Sequence, residues 1–371
     1  MRLTCFVDKS NLRIVKQSRS WQQGWLRVHL TSAELDSCRA VPLFLRSDGL
    51  EFEMRRTVEK GRSMQLEPTG ECAGGFEDSA MDFFAPSTLE EALAIRAQRP
   101  EAVVIAGGTD VMVAMNFGKL RPPAMLDISR VEALRQWYQE DGWFFLGSGV
   151  TYSTVVEQLT RFEPLVQACR AVGSPQIRNT GTIGGNVGTA SPAGDALPVL
   201  AAYDAEIVLA SSRRGRRSIP WDRFLLGVKR TDLKPDELIV GIRWRPTQGP
   251  GSFSKVGTRN AMVIAVASLC LVVDKASRSV RVSLGSVGPT VIRARKAETF
   301  AAGVFPWAYP RALLSEDVLE HFATIVADAV RPIDDVRGSA VYRRQCCRIL
   351  ARRALTWASR EWHGQGEGET V

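Results

Sequence analysis

The chain reads Ala106-Gly107-Gly108-Thr109-Asp110 and, further along, Gly181-Thr182-Ile183-Gly184-Gly185-Asn186. Consecutive glycines let a backbone approach a ligand closely and point its N–H groups at phosphate oxygens, because no side chain stands in the way. A single pair of glycines is usually only a turn. Two such stretches, the first glycine segment (residues 106–110) and the second glycine segment (residues 181–186), together predict a divided cradle for a diphosphate. A diphosphate held in this way indicates a dinucleotide ligand.

The first glycine segment lies inside a β-α-β pattern. A short apolar run rich in β-branched residues occupies 103–106, a helix-like stretch begins at Asp110, and a second apolar run follows at 125–128. The glycine turn then joins the end of a strand to the start of a helix. Unpaired N–H groups and the helix dipole favour an anion at such a place, so the pattern predicts a phosphate there.

The remaining pattern from Met81 onward predicts a mixture of helices and strands. Ser87-Thr88-Leu89-Glu90 has the spacing of a capping box and predicts a helix that begins there. Further strands are predicted at 143–147, 206–210, 237–244, 261–274 and 279–287. Further helices are predicted after Thr151 or Ser153, at 164–172, after Asp195, at 315–330 and at 339–362.

Composition indicates an ordinary globular protein. The chain has 371 residues, of which 45% are hydrophobic and 24% charged, enough for two or three domains. The longest apolar run, 261–273, is too short to span a bilayer, and the charged start of the chain is unlike a secretion signal. We therefore expect a cytoplasmic protein without a membrane span.

Cysteine, histidine and charge patterns argue against several other classes of protein. The seven cysteines include no CxxC pair and the three histidines lie far apart, so we expect free thiols and no protein-held metal. The net charge of +8 is spread over most of the length, which favours a solvated surface over a nucleic-acid site. For the arginine-rich stretch 343–353, a solvated helix face is favoured over a docking surface.

Four segments in a fixed order resemble one known family. They are residues 106–110, Ser174-Pro175-Gln176-Ile177-Arg178-Asn179, residues 182–186 and Ala190-Ser191-Pro192-Ala193-Gly194-Asp195. With them, residues 81 to about 362 resemble the FAD-binding medium subunit of molybdenum hydroxylases, the family of xanthine dehydrogenase and carbon monoxide dehydrogenase. The resemblance implies that both glycine segments hold the FAD diphosphate through backbone N–H groups.

The resemblance also implies individual contacts with FAD. It places Asp195 at the adenosine end, Leu238 and Ile239 against the cofactor, and Lys255 facing the flavin, where a cation would stabilise the reduced ring. The residues implied to bind FAD are Ala106, Gly107, Gly108, Thr109, Asp110, Gly181, Thr182, Gly184, Gly185, Asn186, Asp195, Leu238, Ile239 and Lys255. From the residues alone, Asp195 as a helix N-cap and Lys255 as a surface lysine stay open.

The fold implied by the resemblance is α+β. A two-part FAD-binding domain at 81–255 combines a small β-α-β subdomain with a mixed α/β subdomain of antiparallel strands, and a smaller C-terminal α+β domain follows at 256–363. Residues 364–371 form a polar tail. Family members begin close to Met81, so residues 1–80 have no recognisable domain, and we expect Met81 to be the true start.

The function implied is that of an electron-transfer subunit. Electrons would arrive from [2Fe-2S] clusters on a small partner subunit, pass through FAD, and leave to an acceptor such as NAD or a quinone. Molybdopterin chemistry would belong to a large partner subunit of the hetero-oligomer, and this chain would hold no acid–base catalytic residue. Two alternatives stay open, a self-contained flavin oxidoreductase of the same fold and a basic nucleic-acid-binding protein without enzymatic activity.

Overall fold

The computed structural model describes residues 81–308 and 313–365, with side chains to residue 362, and the backbone of seven short strands before residue 81. The chain divides into two units, Met1–Asp78 and Ser79–Val371. The strands of the first unit are β1 (Arg2–Asp8), β2 (Asn11–Gln17), β3 (Arg27–Val28), β4 (Phe44–Ser47), β5 (Leu50–Glu53), β6 (Met64–Gln65) and β7 (Glu67–Pro68). They pair in the orders β1-β2, β3-β6 and β4-β5-β7. The expectations for 1–80 and for the tail at 364–371 concern residues that lie mostly outside those described.

The second unit alternates helices and strands. Its strands are β8 (Asp82–Phe84), β9 (Val103–Ile105), β10 (Ala124–Asp127), β11 (Trp137–Glu140), β12 (Trp143–Gly147), β13 (Glu206–Ser211), β14 (Gly215–Pro220), β15 (Leu225–Gly227), β16 (Arg230–Thr231), β17 (Leu238–Trp244), β18 (Gly251–Val256), β19 (Ala267–Asp274), β20 (Ser279–Gly285) and β21 (Ile292–Arg293). Its helices are α1 (Leu89–Gln98), α2 (Val111–Asn116), α3 (Tyr152–Gln158), α4 (Glu163–Ala171), α5 (Pro175–Thr180), α6 (Ile183–Thr189), α7 (Ala196–Ala202), α8 (Trp221–Phe224), α9 (Arg295–Val304), α10 (Glu316–Ala329) and α11 (Ala340–Gln365), with a short 3₁₀ helix at Glu132–Arg135.

The first subdomain is a small parallel sheet of order β8-β10-β9. Strand β9, helix α2 and strand β10 form the β-α-β unit that the sequence predicts. The capping box of α1 is present one residue later than predicted: Thr88 accepts from the amide of Glu91, whose carboxylate accepts from the amide of Thr88. The predicted Ser87–Glu90 pairing is therefore wrong, although the helix begins where expected.

The second subdomain is built on a five-stranded antiparallel sheet of order β11-β12-β17-β13-β14. Strand β12 alternates, so that Phe144 and Leu146 face a buried core while Trp143 and Phe145 face the other side. In that core Phe144 packs against Trp244, with ring centroids 4.9 Å apart. Helices α3, α4, α6 and α7 contribute buried residues to this core, and α6 contains most of the second glycine segment.

The C-terminal domain is an antiparallel sheet of order β18-β19-β20-β21 covered by α9, α10 and α11. Strand β19 is buried along its whole length, as expected for a central strand with apolar residues on both faces. It begins at Ala267, later than the predicted 261, because Val266 donates to the carbonyl of Val256 and the residues between them form the hairpin connection. Strand β18, on the other side of this hairpin, was not predicted from sequence.

The arginine-rich stretch on α11 is only partly solvated. Arg343 is 3% exposed and donates to the carbonyls of Val266 (2.6 Å) and Ser286 (2.8 Å) and to Asp335 Oδ1 (2.6 Å). The prediction of a solvated arginine is therefore wrong for Arg343, which ties α11 to the sheet. In the part of the chain that the structure describes, no helix has the length and apolar character needed to cross a membrane.

Candidate functional site

A cavity of about 300 Å³ lies between the two glycine segments. Residues on α2, on α6 and at the start of β17 surround it, so the parallel and the antiparallel subdomains both contribute. The predicted site residues that line it are Ala106, Gly107, Gly108, Thr109, Asp110, Thr182, Gly184, Gly185, Asn186, Leu238 and Ile239. The structure thus brings together residues that are far apart in sequence, whereas Gly181, Asp195 and Lys255 do not line this cavity.

Two of the glycines are required by packing within the protein. A Cβ on Gly107 would lie 1.8 Å from the carbonyl oxygen of Thr180, and one on Gly184 would lie 2.4 Å from Cβ of Ser148. The first contact joins the first glycine segment to Thr180, the last residue of α5 and the residue before the second segment. The second contact joins α6 to Ser148, the residue after β12. From the sequence, we expected Gly107 and Gly184 to be glycines so that a ligand could approach the backbone. In the structure, the absence of their side chains instead lets another part of the protein's own backbone come close.

The amide groups of the two segments differ in their availability. Among the residues that the structure describes, the amides of residues 107–110 have no hydrogen-bond acceptor. In the second segment, by contrast, Gly184 donates to the carbonyl of Ser148 (2.9 Å) and Gly185 donates to Oγ1 of Thr182 (3.0 Å). The second segment is therefore the capped start of helix α6 and not a loop. Free donors for an anion are concentrated in the first segment.

Open space and unpartnered polar atoms identify where a ligand would contact the second segment. A Cβ on Gly185 would meet only Thr182 Oγ1, at 3.0 Å. Within the described chain, the buried Oδ1 of Asn186 and the buried Oγ of Ser148 have no hydrogen-bond partner. Buried polar atoms are normally hydrogen-bonded, so these two atoms fit a site that is completed by a polar ligand.

Several lining residues were missed by the sequence argument. They are Val104, Val111, Ile128, Ser148, Tyr152, Gly188, Thr189 and Leu233. Some lie directly beside predicted residues, and Thr189 Oγ1 donates to Asp110 Oδ2 (3.4 Å), which links α6 to the first segment. Ser148 carried no motif, because its position depends on the pairing of β12 with β17. Burial raises the pKa of Tyr152 well above its ordinary range, so this side chain stays neutral.

Asp195 and Lys255 form a buried ion pair outside the cavity. Lys255 Nζ lies 2.6 Å from Asp195 Oδ2 and donates also to the carbonyls of Ala171 (2.7 Å) and Val263 (3.1 Å). The surface-lysine interpretation is therefore wrong. Asp195 occupies the N-cap position of α7, but its side chain makes no capping hydrogen bond. Burial raises the pKa of Asp195 to about 6, although Lys255 opposes the shift.

Two family models together match most of the second unit. The FAD binding domain in molybdopterin dehydrogenase matches residues 78–244, and the CO dehydrogenase flavoprotein C-terminal domain matches residues 252–358. The chain is 30% identical over 278 residues to the nicotinate dehydrogenase FAD-subunit of Eubacterium barkeri, covering 71% of this chain and 91% of that protein. It is 29% identical over 282 residues to the xanthine dehydrogenase FAD-binding subunit of Escherichia coli O157:H7, covering 73% and 94%.

A solved structure supports the same assignment. A chain of carbon monoxide dehydrogenase from Hydrogenophaga pseudoflava, in a form that lacks the molybdenum-pyranopterin moiety of its cofactor, matches with a TM-score of 0.68 and 27% identity. The match covers 75% of this chain and 98% of that one. The α+β fold and the resemblance seen in the four sequence segments are thereby confirmed. The chain belongs to the family of FAD-binding medium subunits of molybdopterin-dependent hydroxylases, to which xanthine dehydrogenase and carbon monoxide dehydrogenase belong, and is an FAD-binding subunit of an oxidoreductase.

Proposed function

We propose that this chain binds the diphosphate of FAD in the cavity between the glycine segments and carries electrons through that cofactor in a cytoplasmic complex. The electrons come from [2Fe-2S] clusters on a small partner subunit, and the acceptor is NAD or a quinone. A large partner subunit holds the molybdopterin and the substrate. FAD, when bound, supplies the exchange between one-electron and two-electron transfer.

The free amides of the first glycine segment carry this proposal. Four consecutive N–H groups, those of residues 107–110, have no acceptor in the described structure and line the cavity. A diphosphate offers only acceptors, so it matches a set of fixed donors and is held without a positively charged side chain. Leu238 and Ile239, 1% and 9% exposed, form an apolar wall that excludes water from the ligand.

Asp195 extends the proposed contacts beyond the diphosphate, and Lys255 holds the Asp195 carboxylate in place. Asn186 lies between the cavity and the segment that contains Asp195. It lines the cavity, and its side-chain amide lies 3.0 Å from a Cβ placed on Gly194. Asp195 follows Gly194 in the sequence, and its carboxylate can accept hydrogen bonds from ribose hydroxyls, as the family resemblance implies. The ammonium of Lys255 has its three donors occupied by Ala171, Asp195 and Val263, so its position is held rigidly.

The test is to load the full chain with FAD and follow the visible absorbance of the flavin under anaerobic conditions. In a second sample the flavin is first reduced with dithionite, and the two proposed acceptors, NAD and a quinone, are then offered separately. We expect one of these acceptors to restore the absorbance of the reduced flavin, and we expect xanthine, aldehydes and N-heterocycles to leave the oxidised flavin unbleached, because the substrate site belongs to a partner. Bleaching by an organic substrate of this kind would favour the self-contained oxidoreductase instead.

A further inference from the structure

Ser148 is a buried residue whose hydroxyl makes no hydrogen bond with the residues that the structure describes. It follows β12 directly and is 3% exposed, and within the described chain its Oγ has no hydrogen-bond partner. Its backbone is held on both sides: its amide donates to the carbonyl of Val240 (3.1 Å), and its carbonyl accepts from the amide of Gly184 (2.9 Å). The side chain is therefore fixed between the antiparallel sheet and the second glycine segment.

An unpartnered hydroxyl at this place is unfavourable for the protein alone. Removing a hydroxyl from water without replacing its hydrogen bond destabilises the folded state, whereas alanine would fill the position without that cost. Ser148 lines the cavity between the glycine segments, so a bound ligand can supply the missing partner. The hydroxyl can rotate to suit an acceptor on the ligand.

We propose that the hydroxyl of Ser148 donates a hydrogen bond to a diphosphate oxygen of the bound dinucleotide. The identity of the ligand rests on the proposed function above. The diphosphate is the part indicated because Ser148 lines the same cavity as the free amides of residues 107–110, which are donors for an anion. The hydroxyl thereby adds a side-chain donor to the free amides of the first segment.

The experiment compares Ser148→Ala with Ser359→Ala in the full chain. Ser359 is a matched control, since it lies on α11, is 2% exposed and also has an unpartnered Oγ within the described residues. Both variants are expected to keep or raise the Tm of the FAD-free protein. Only Ser148→Ala is expected to raise the Kd for FAD, by about tenfold, the loss that one hydrogen bond explains. Ser148→Cys, a weak donor of similar size, is expected to fall between wild type and Ser148→Ala.

Two fragments of FAD identify the group that Ser148 contacts. ADP carries the diphosphate without a flavin, and riboflavin carries the flavin without phosphate. Ser148→Ala is expected to weaken competition by ADP by the same factor as FAD binding and to leave riboflavin unaffected.

The inference is overturned by an unchanged Kd for FAD, by an effect on riboflavin alone, or by a lower Tm of the FAD-free Ser148→Ala protein. If one of these results is obtained while the wild-type chain binds FAD, the inference about Ser148 is wrong but the proposed function is still supported. A wild-type chain that binds no FAD overturns both.

Discussion

At the residue scale, the glycines of the two segments have different tasks. Gly107 and Gly184 are required because other parts of the backbone pass within a Cβ's reach, whereas Gly185 has only a hydroxyl near it. The sequence motif does not distinguish a glycine required by packing from one with open space beside it. The neighbours that make the difference, Thr180 and Ser148, are brought close by the packing of elements that are distant in sequence.

Gly185→Ala is expected to weaken FAD binding by tenfold or more while leaving the fold intact. The added methyl group would occupy space beside the ligand, but alanine is favoured over glycine within a helix by up to about 1 kcal/mol. Gly303→Ala on α9 is the matched control, because a Cβ there meets nothing within 4 Å. FAD titration and denaturant unfolding of both variants check this. A Gly185→Ala protein with wild-type affinity would contradict the contact.

Gly107→Ala is expected to destabilise the FAD-free protein. Its Cβ would lie 1.8 Å from the carbonyl oxygen of Thr180, which belongs to backbone and has little freedom to move. Overpacking of this kind costs roughly 1–3 kcal/mol or more. Denaturant unfolding measures the loss, and Gly303→Ala again serves as the control. An unchanged free energy of unfolding would show that the two segments are not packed as described.

Asp195 gives the folded protein a distinct pH dependence. The pKa of this carboxyl is about 6 in the folded chain against an ordinary 3.8, so between these values the folded state holds a proton that the unfolded chain releases. The stability that this protonated carboxyl contributes is fully present below pH 3.8 and is lost as the pH rises through about 6. Relative to Asp195→Asn, wild type is expected to lose up to roughly 3 kcal/mol of stability between pH 4 and pH 7. A constant difference between the two proteins across this range would refute the shift.

At the element scale, the sequence predicted most of the second unit because its strands and helices carry clear patterns. Strand β13 is one residue longer than predicted, and helix α10 is one residue shorter than predicted at each end. Helix α6, which contains most of the second glycine segment, was not predicted, because glycines lower helix propensity and the cap from Thr182 to Gly185 appears only in three dimensions. Strand β11 was missed, since it has only four residues, of which three are exposed, and so shows no alternation of buried and exposed positions.

Arg343 on helix α11 is expected to be a stability determinant. Arg343→Lys keeps the charge, but one ammonium cannot replace the guanidinium fork that reaches Val266, Ser286 and Asp335 together. Leaving a buried carbonyl unpaired costs about 1–3 kcal/mol. Arg353→Lys, at an exposed position of the same helix, is the control and is expected to change little. Equal stabilities of the two variants would contradict this role.

At the scale of the whole molecule, the cavity depends on two subdomains that meet. The family resemblance located both sides of it, but the unpartnered Ser148 and the buried Asp195–Lys255 pair depend on strand pairing and long-range contacts that no local pattern contains. A ligand that binds only the assembled cavity stabilises the folded chain by mass action, by about 4 kcal/mol at a thousandfold excess over its Kd.

A titration of the full chain with FAD, followed by flavin fluorescence, tests directly whether the cavity holds the cofactor. We expect saturable binding at one FAD per chain, because the free amides of residues 107–110 all line the same cavity. A chain that folds but shows no saturable change in fluorescence, even in excess FAD, would contradict it.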